Sequence, residues 1–240
     1  AAYPAQLPIG AAETFLGIVD LLNRKAYYYR DDLGKDVEET EIPEDMKGLV
    51  EKYRDQLFEA VAGTDDALMA KYLEGQEISI PEFKKAARHA VITNQLVLIF
   101  CGSALKNKGV QFLLDAVCDY LPSPLEVPPL EASLADDLDK KIICKPVDDE
   151  PFVALAFKIA TDPFVGKLCF FRVYAGTLKA GSYIYNTTSG ERERVGRVLI
   201  MHANHREEID EVYAGDIAAL VGMKSTFTGN TLCSEDRRVV

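Results

Sequence analysis

The sequence predicts an α/β half that carries an α+β insert, followed by an antiparallel β-barrel. Three observations carry that reading. Leu96 to Phe100 is an unbroken apolar run of strand length followed by Gly102, the pattern of a parallel strand covered on both faces. Between Glu44 and Asn94 the apolar residues recur at helical spacing. After Pro151 the period changes to two, with Val153, Leu155, Phe157 and Ile159 alternating with residues of the other face.

Taken in order, Gln6-Leu7-Pro8-Ile9-Gly10 reads as a first strand, which Pro8 places near a sheet edge. Phe15 to Leu22 is a second apolar stretch. Tyr27-Tyr28-Tyr29 follows, then the acidic turn Asp31-Asp32-Leu33-Gly34 and an extended segment toward Ile42. These make a small sheet with one packed face, and the helices that follow are its partner layer. Met46, Leu49, Val50, Tyr53, Leu57, Ala60 and Val61 form a helical stripe that Gly63 stops. A second helix begins after Thr64, carries Leu68, Met69, Tyr72 and Leu73, and ends at Gly75. The third opens on Ser79-Ile80-Pro81-Glu82, an S-x-x-E capping signature, and shows Phe83, Ala86, Ala87, Ala90 and Val91. The tyrosines and methionines read as core.

Beyond the Leu96 strand, Ser103-Ala104-Leu105 falls at its carboxyl end, where open α/β sheets place their ligands. Ser103 taken alone also fits a plain turn cap. Val110, Leu113, Leu114, Val117, Cys118 and Leu121 then give an amphipathic helix that Pro122 and Pro124 end. After the Pro-rich run Pro122 to Pro129, the stretch 129–148 reads as a polar, charged linker with an apolar island at Ile142-Ile143-Cys144. From 149 to 240, turn signals at Val165-Gly166, Ala175-Gly176, Ala180-Gly181, Ser189-Gly190, Ala214-Gly215 and Thr228-Gly229 pace short strands, as in a closed barrel.

Composition limits the function. The net charge of −11 argues against a general DNA- or RNA-coating protein. Residues 1–96 hold 11 Lys+Arg against 18 Asp+Glu, whereas 149–240 hold 11 against 12, so a local basic patch fits only the second half. Arg192, Arg194, Arg197, His202, His205 and Arg206 lie close together there. Alternation puts Arg192 and Arg194 on one strand face, as either an RNA contact or an exposed salt-bridged hairpin with Glu191 and Glu193. The apolar runs fall short of the roughly 20 residues that span a bilayer, and no signal-peptide layout is present, which suits a cytoplasmic protein without a membrane partner. Five scattered cysteines read as reduced core thiols. His202-Ala203-Asn204-His205 reads as a surface turn, with no metal site assigned, and three scattered histidines do not suggest a hydrolase triad.

The string Cys101-Gly102-Ser103-Ala104-Leu105-Lys106-Asn107-Lys108-Gly109-Val110-Gln111 resembles the guanine-contacting loop of translational GTPases, elongation factor G in particular. The second half resembles the barrel of the same family at Phe157 to Gly166, at Phe171-Arg172-Val173-Tyr174-Ala175-Gly176, at His202 to Ile209 and at Ala214 to Ala219. Asn230 stands where the family usually has Asp before Thr-Leu. The resemblance implies that Ser103 braces the loop through its hydroxyl, that the Ala104 backbone N–H meets the guanine carbonyl, and that Leu105 flanks the base. It implies an α+β insert at about 8–95 within the last part of a P-loop GTPase domain, 1–128, ahead of a translation-factor-type barrel. It also implies the ribosome as partner: the large-subunit stalk protein for the insert, and small-subunit rRNA for the barrel, with Arg192, Arg194 and Arg197 as candidates.

No G-x-x-x-x-G-K-[ST] loop occurs, and Asn107-Lys108-Gly109-Val110 lacks the carboxylate of the guanine-specificity motif N-K-x-D. The resemblance implies GTP or GDP with Mg in the parent protein, and the missing motifs imply no tight nucleotide binding or hydrolysis by this chain, for which no catalytic residue is assigned. The chain reads as an interior piece covering under half of the family's architecture, monomeric, with an exposed sheet edge and poor solubility. The rival readings are a non-enzymatic ribosome-binding module and another translational GTPase, such as a ribosome protection protein or a release factor.

Overall fold

The computed structural model describes all residues other than Asp32 and Asn204, so each of the turns expected at Asp31–Gly34 and His202–His205 has one residue outside the described set. The chain divides into two compact units, Ala1–Pro122 and Ser123–Val240.

In the first unit, β1 (Ala2–Pro4) and β6 (Val97–Ile99) pair in parallel, Tyr3 opposite Leu98. The chain between them forms an antiparallel sheet of β2 (Gln6–Ile9), β3 (Gly17–Asp20), β4 (Lys25–Tyr29) and β5 (Val37–Thr40), in that order. Pro8 sits on β2, an edge strand, where a residue without an N–H is tolerated. The β3–β4 turn is closed by Asp20, whose carboxylate accepts the Leu22 N–H at 2.8 Å and the Asn23 N–H at 3.0 Å.

Three helices cover this sheet. α1 (Lys47–Ala62) ends at Gly63. α2 (Asp66–Leu73) is capped by Asp65, which accepts the Ala67 and Leu68 N–H groups at 3.0 Å each. α3 (Ile80–Ile92) opens as its sequence signature requires, with the Glu82 carboxylate accepting the Ser79 N–H at 3.1 Å and the Ser79 hydroxyl at 2.7 Å. Leu7, Val19 and Leu21 from the sheet and its turn meet Val50, Leu57, Phe58 and Ala87 from the helices in one core. The Phe58 and Phe83 rings lie 4.5 Å apart between α1 and α3.

The parallel pair departs from the buried strand and helix expected from sequence. Val97 and Ile99 are 60% and 47% exposed. On α4 (Val110–Tyr120), the stripe Leu113, Leu114, Val117 and Cys118 is exposed, and the helix packs instead through Ala116 and Tyr120. The cause is the width of the sheet: among the described residues β6 has β1 as its one partner, and a two-stranded sheet cannot cover that helix face. Cys118 is consequently not a core thiol, whereas Cys144, Cys169 and Cys233 are buried as expected.

In the second unit, the stretch 129–148 is a hairpin of β7 (Leu130–Leu134) and β8 (Asp137–Cys144) in place of a linker. The apolar island supplies the reason, since Ile142 and Cys144 join Ala132, Val153, Ala175 and Val239 in a small core. The segment around Val240 extends this hairpin, Ser133 and Val240 exchanging two N–H···O bonds of 2.9 Å each.

The remaining strands are β9 (Val153–Asp162), β10 (Gly166–Ala175), β11 (Leu178–Lys179), β12 (Tyr183–Asn186), β13 (Glu191–Arg194), β14 (Arg197–His202), β15 (His205–Ile209), β16 (Glu211–Val212), β17 (Ile217–Val221) and β18 (Thr231–Cys233). Eight of them form one antiparallel sheet in the order β13-β12-β18-β9-β10-β17-β14-β15, and β11 pairs with β16. The six turn glycines read from the sequence all have positive φ, between 72° and 95°.

Closure comes from one bent strand. The run from Glu191 to His202 divides at Val195-Gly196 into β13, which pairs with β12, and β14, which pairs with β17. Val195 is still hydrogen-bonded to Ser182 at 2.9 Å, and Arg197 is already opposite Val221. The chain thus passes from β13 at one border of the sheet to β14, next to the other border, and shuts the barrel around Phe171, Val173, Ile184, Val195, Leu220 and Leu232. Gly196 makes the crossing possible: a Cβ there would stand 2.5 Å from the Val221 carbonyl oxygen.

Candidate functional site

The Cys101–Gly109 loop is a tight hairpin of its own. Ser103 and Lys108 exchange N–H···O bonds of 2.8 and 3.0 Å, and the Asn107 N–H donates to the Ala104 carbonyl at 3.2 Å. Gly109, at φ +83°, then turns the chain into α4. A Cβ on Gly109 would lie 2.7 Å from the Cys101 carbonyl oxygen, so the two legs of the loop approach closely through glycine. Gln6 Oε1 accepts the Cys101 N–H at 3.4 Å, and burial pushes the Cys101 thiol up to about 11, which keeps it protonated.

Beside this loop is a cleft of about 180 Å³, lined by residues of Phe100–Ala104, Lys108–Val110 and Leu113. Ser103 and Ala104 border it. Leu105 does not, and is 96% exposed at the loop tip. Among the described residues, the Ala104 and Leu105 N–H groups have no intramolecular acceptor. A loop that leaves backbone donors free beside a cleft can hydrogen-bond an external carbonyl at little cost in reorganisation.

Of the candidates in the second unit, Arg192 and Arg194 lie on the outward face of β13, and Glu193 between them is buried. Their register partners on β12 are Tyr185 and Tyr183. The Arg192 guanidinium lies 4.2 Å over the Tyr183 ring and 3.2 Å from the Glu235 carboxylate. Arg238 stacks 4.1 Å over Tyr185. Arg194 has neither an ion-pair nor a stacking partner among the described residues. Arg197 sits past the bend, 3.8 Å from Glu208. Arg206 belongs to a different neighbourhood, 2.9 Å from Asp162 and 5.2 Å from the Phe164 ring. The run of basic residues that looks like one patch in sequence is therefore divided.

What remains at β12–β13 is a compact Arg/Tyr face of Tyr183, Tyr185, Arg192, Arg194 and Arg238. Guanidinium planes on aromatic rings can pair with phosphate while leaving apolar surface for stacking. Sequence reasoning misses the two tyrosines and Arg238. Tyr183 and Tyr185 repeat the period-two spacing of Arg192 and Arg194 across the Ser189-Gly190 turn, which is a signal the sequence does hold. Arg238 has none, because tertiary folding alone brings it to Tyr185.

Against known proteins, residues 166–233 match the family described as Elongation factor Tu domain 2. Over 97% of its length the chain is similar to the crystal structure of ttk003000868 from Thermus thermophilus, at 27% identity and a TM-score of 0.74. The match covers 32% of that protein, so the chain spans about a third of the length of the solved structure. The family match lies within the second unit and supports a barrel there like Elongation factor Tu domain 2. No helix among the described residues is long and apolar enough to cross a membrane.

Proposed function

We propose that the chain is part of an elongation-factor-G-type translational GTPase, holding the guanine-contacting loop, the α+β insert and the barrel that docks on the small ribosomal subunit. One observation supports this most: a parallel-strand, loop and helix unit with an antiparallel insert stands in one chain with an elongation-factor-Tu-domain-2-like barrel. The free Ala104 N–H beside the cleft fits a guanine carbonyl. The sequence lacks the lysine-bearing phosphate loop and the carboxylate of N-K-x-D, so phosphate, Mg and catalytic groups have to come from elsewhere in the parent protein. The exposed face of β6 and α4 fits the same reading, since a wider parallel sheet would cover it.

In this reading the Arg/Tyr face contacts small-subunit rRNA in the cytoplasm, and the insert meets the large-subunit stalk protein. The test is binding of the chain to purified small subunits across a salt series. Replacing Arg192 and Arg194 by alanine is expected to weaken binding by at least about tenfold and to flatten the salt slope by about one unit per arginine. Binding that is unchanged in both respects would show the face to be a solvated hairpin and overturn this part of the proposal.

A further inference from the structure

The Cys101–Gly109 loop is held as much by the insert as by its own strand and helix. At the end of β4 the Tyr29 hydroxyl accepts the Gly109 N–H at 2.6 Å. The turn between β4 and β5 adds two acceptors: Asn107 Nδ2 donates to the Leu33 carbonyl at 3.1 Å, and Gln111 Nε2 donates to the Gly34 carbonyl at 2.8 Å. The backbones meet closely at this point, since a Cβ on Gly34 would stand 2.1 Å from the Asn107 carbonyl oxygen. The turn is itself fixed, with the Asp31 carboxylate accepting the Lys35 N–H at 2.9 Å and the Asp36 N–H at 3.1 Å.

Partners 74 to 80 residues apart in sequence thus supply three hydrogen bonds to the loop and the start of α4. The loop's own closure has the same number: the Ser103–Lys108 pair and the Asn107–Ala104 bond. Burial keeps the Tyr29 hydroxyl above its ordinary pKa, against the smaller opposite pull of the Gly109 N–H, so it stays a neutral acceptor. The Tyr29–Gly109 bond is buried, where an N–H that loses its acceptor is not rescued by water. A shift of the β4–β5 hairpin therefore cannot leave the loop unchanged.

We infer that Tyr29 and the Leu33–Gly34 turn are positioning residues for the loop, and that the insert sets the conformation in which Ser103 and Ala104 are presented. A partner that moves the insert hairpin alters how the loop meets its ligand. This regulatory consequence rests on the guanine reading above, whereas the brace itself does not.

The experiment is amide hydrogen exchange by NMR on the 240-residue chain, comparing the wild type with Tyr29→Phe and Gln111→Leu. Tyr29→Phe keeps the ring in the core and removes only the acceptor. Exchange at Gly109 is expected to quicken by a few-fold to about tenfold, with Ser103 and Lys108 following, while amides of α1 and α3 hold their rates. Gln111→Leu is expected to act on the same loop amides from the other side. Unchanged loop exchange in both variants overturns the inference, and so does a uniform rise through the first unit, which would make Tyr29 an ordinary core residue. A second arm adds GDP at about 10 mM and follows the Ser103–Leu105 amide shifts. Shifts in the wild type that are altered in Tyr29→Phe support the regulatory consequence. Their absence counts against the guanine reading alone and leaves the exchange result standing.

Discussion

Glu193 accepts the Lys224 N–H at 2.6 Å with the same carboxylate oxygen that takes the Ser225 N–H at 3.0 Å, and its other oxygen accepts the Thr226 hydroxyl. This side chain, which the sequence presents as surface charge alternating with arginine, is instead the latch that ties the closing strand to the loop after β17.

Burial alone raises the Glu193 pKa. The bonds from Thr226, Ser225 and Lys224, with the nearby charge of Lys167, outweigh it and hold the group below its ordinary 4.5. A depressed carboxylate contributes stability that is complete above the unfolded value and is lost as pH falls through the folded value. Glu193→Gln is therefore expected to cost about 1–3 kcal/mol at neutral pH, because its amide nitrogen cannot accept. Urea midpoints measured across pH check this: the gap between the two proteins should narrow in acid, below the ordinary carboxylate value.

The bend that closes the barrel depends on a missing side chain. Gly196→Ala is expected to destabilise the second unit by about 1–3 kcal/mol, because the new methyl meets the Val221 carbonyl, which is backbone and cannot swing aside. Chemical denaturation followed by near-UV signal from the tyrosines of β12 would report the loss. A change within about 0.5 kcal/mol would mean that the bend relaxes freely.

The open face of the parallel pair should dominate solution behaviour. Val97, Ile99, Leu113, Leu114 and Val117 present apolar side chains to water, so the chain is expected to bind a hydrophobic dye and to aggregate on warming. Leu114→Lys with Val117→Lys should reduce both, with unfolding stability changed by no more than about 0.5 kcal/mol. Sharp, reversible melting of the unmodified chain without aggregation would contradict this.

On the proposed guanine reading, the Cys101–Gly109 loop, without phosphate ligands, should hold guanine nucleotide weakly. Calorimetric titration with GDP is expected to give a dissociation constant weaker than about 1 mM. Micromolar binding would show that the cleft beside Ser103 holds the nucleotide without the phosphate loop.

Much of the fold is legible in the sequence where local chemistry decides it. The Ser79–Glu82 cap, the stop at Gly63 and the turn glycines of the barrel each need one backbone conformation that few residues supply, so the residue types alone carry them. The stretch 129–148 reads as a linker because charged residues on the outer face of β8 hide the inward Ile142 and Cys144. The stripe on α4 is apolar as its spacing says, but the two-stranded β1-β6 sheet leaves it exposed. At the candidate site, the Ser103-Ala104 loop and the Arg192/Arg194 pair are visible as strings. Tyr183 and Tyr185 leave a weaker signal in their matching period-two spacing, whereas Tyr29 and Arg238 leave none, since tertiary contacts alone bring them in.

If this chain carries ribosome-docking surfaces of an elongation-factor-G-type GTPase, it should compete with an intact factor for the ribosome. The decisive measurement is ribosome-dependent GTP hydrolysis by an intact elongation factor G in the presence of rising amounts of the chain. Inhibition that is relieved by more of the intact factor, and weakened by the Arg192→Ala/Arg194→Ala double substitution, is the expected result. Hydrolysis unaffected at chain concentrations far above that of the intact factor would contradict the assignment.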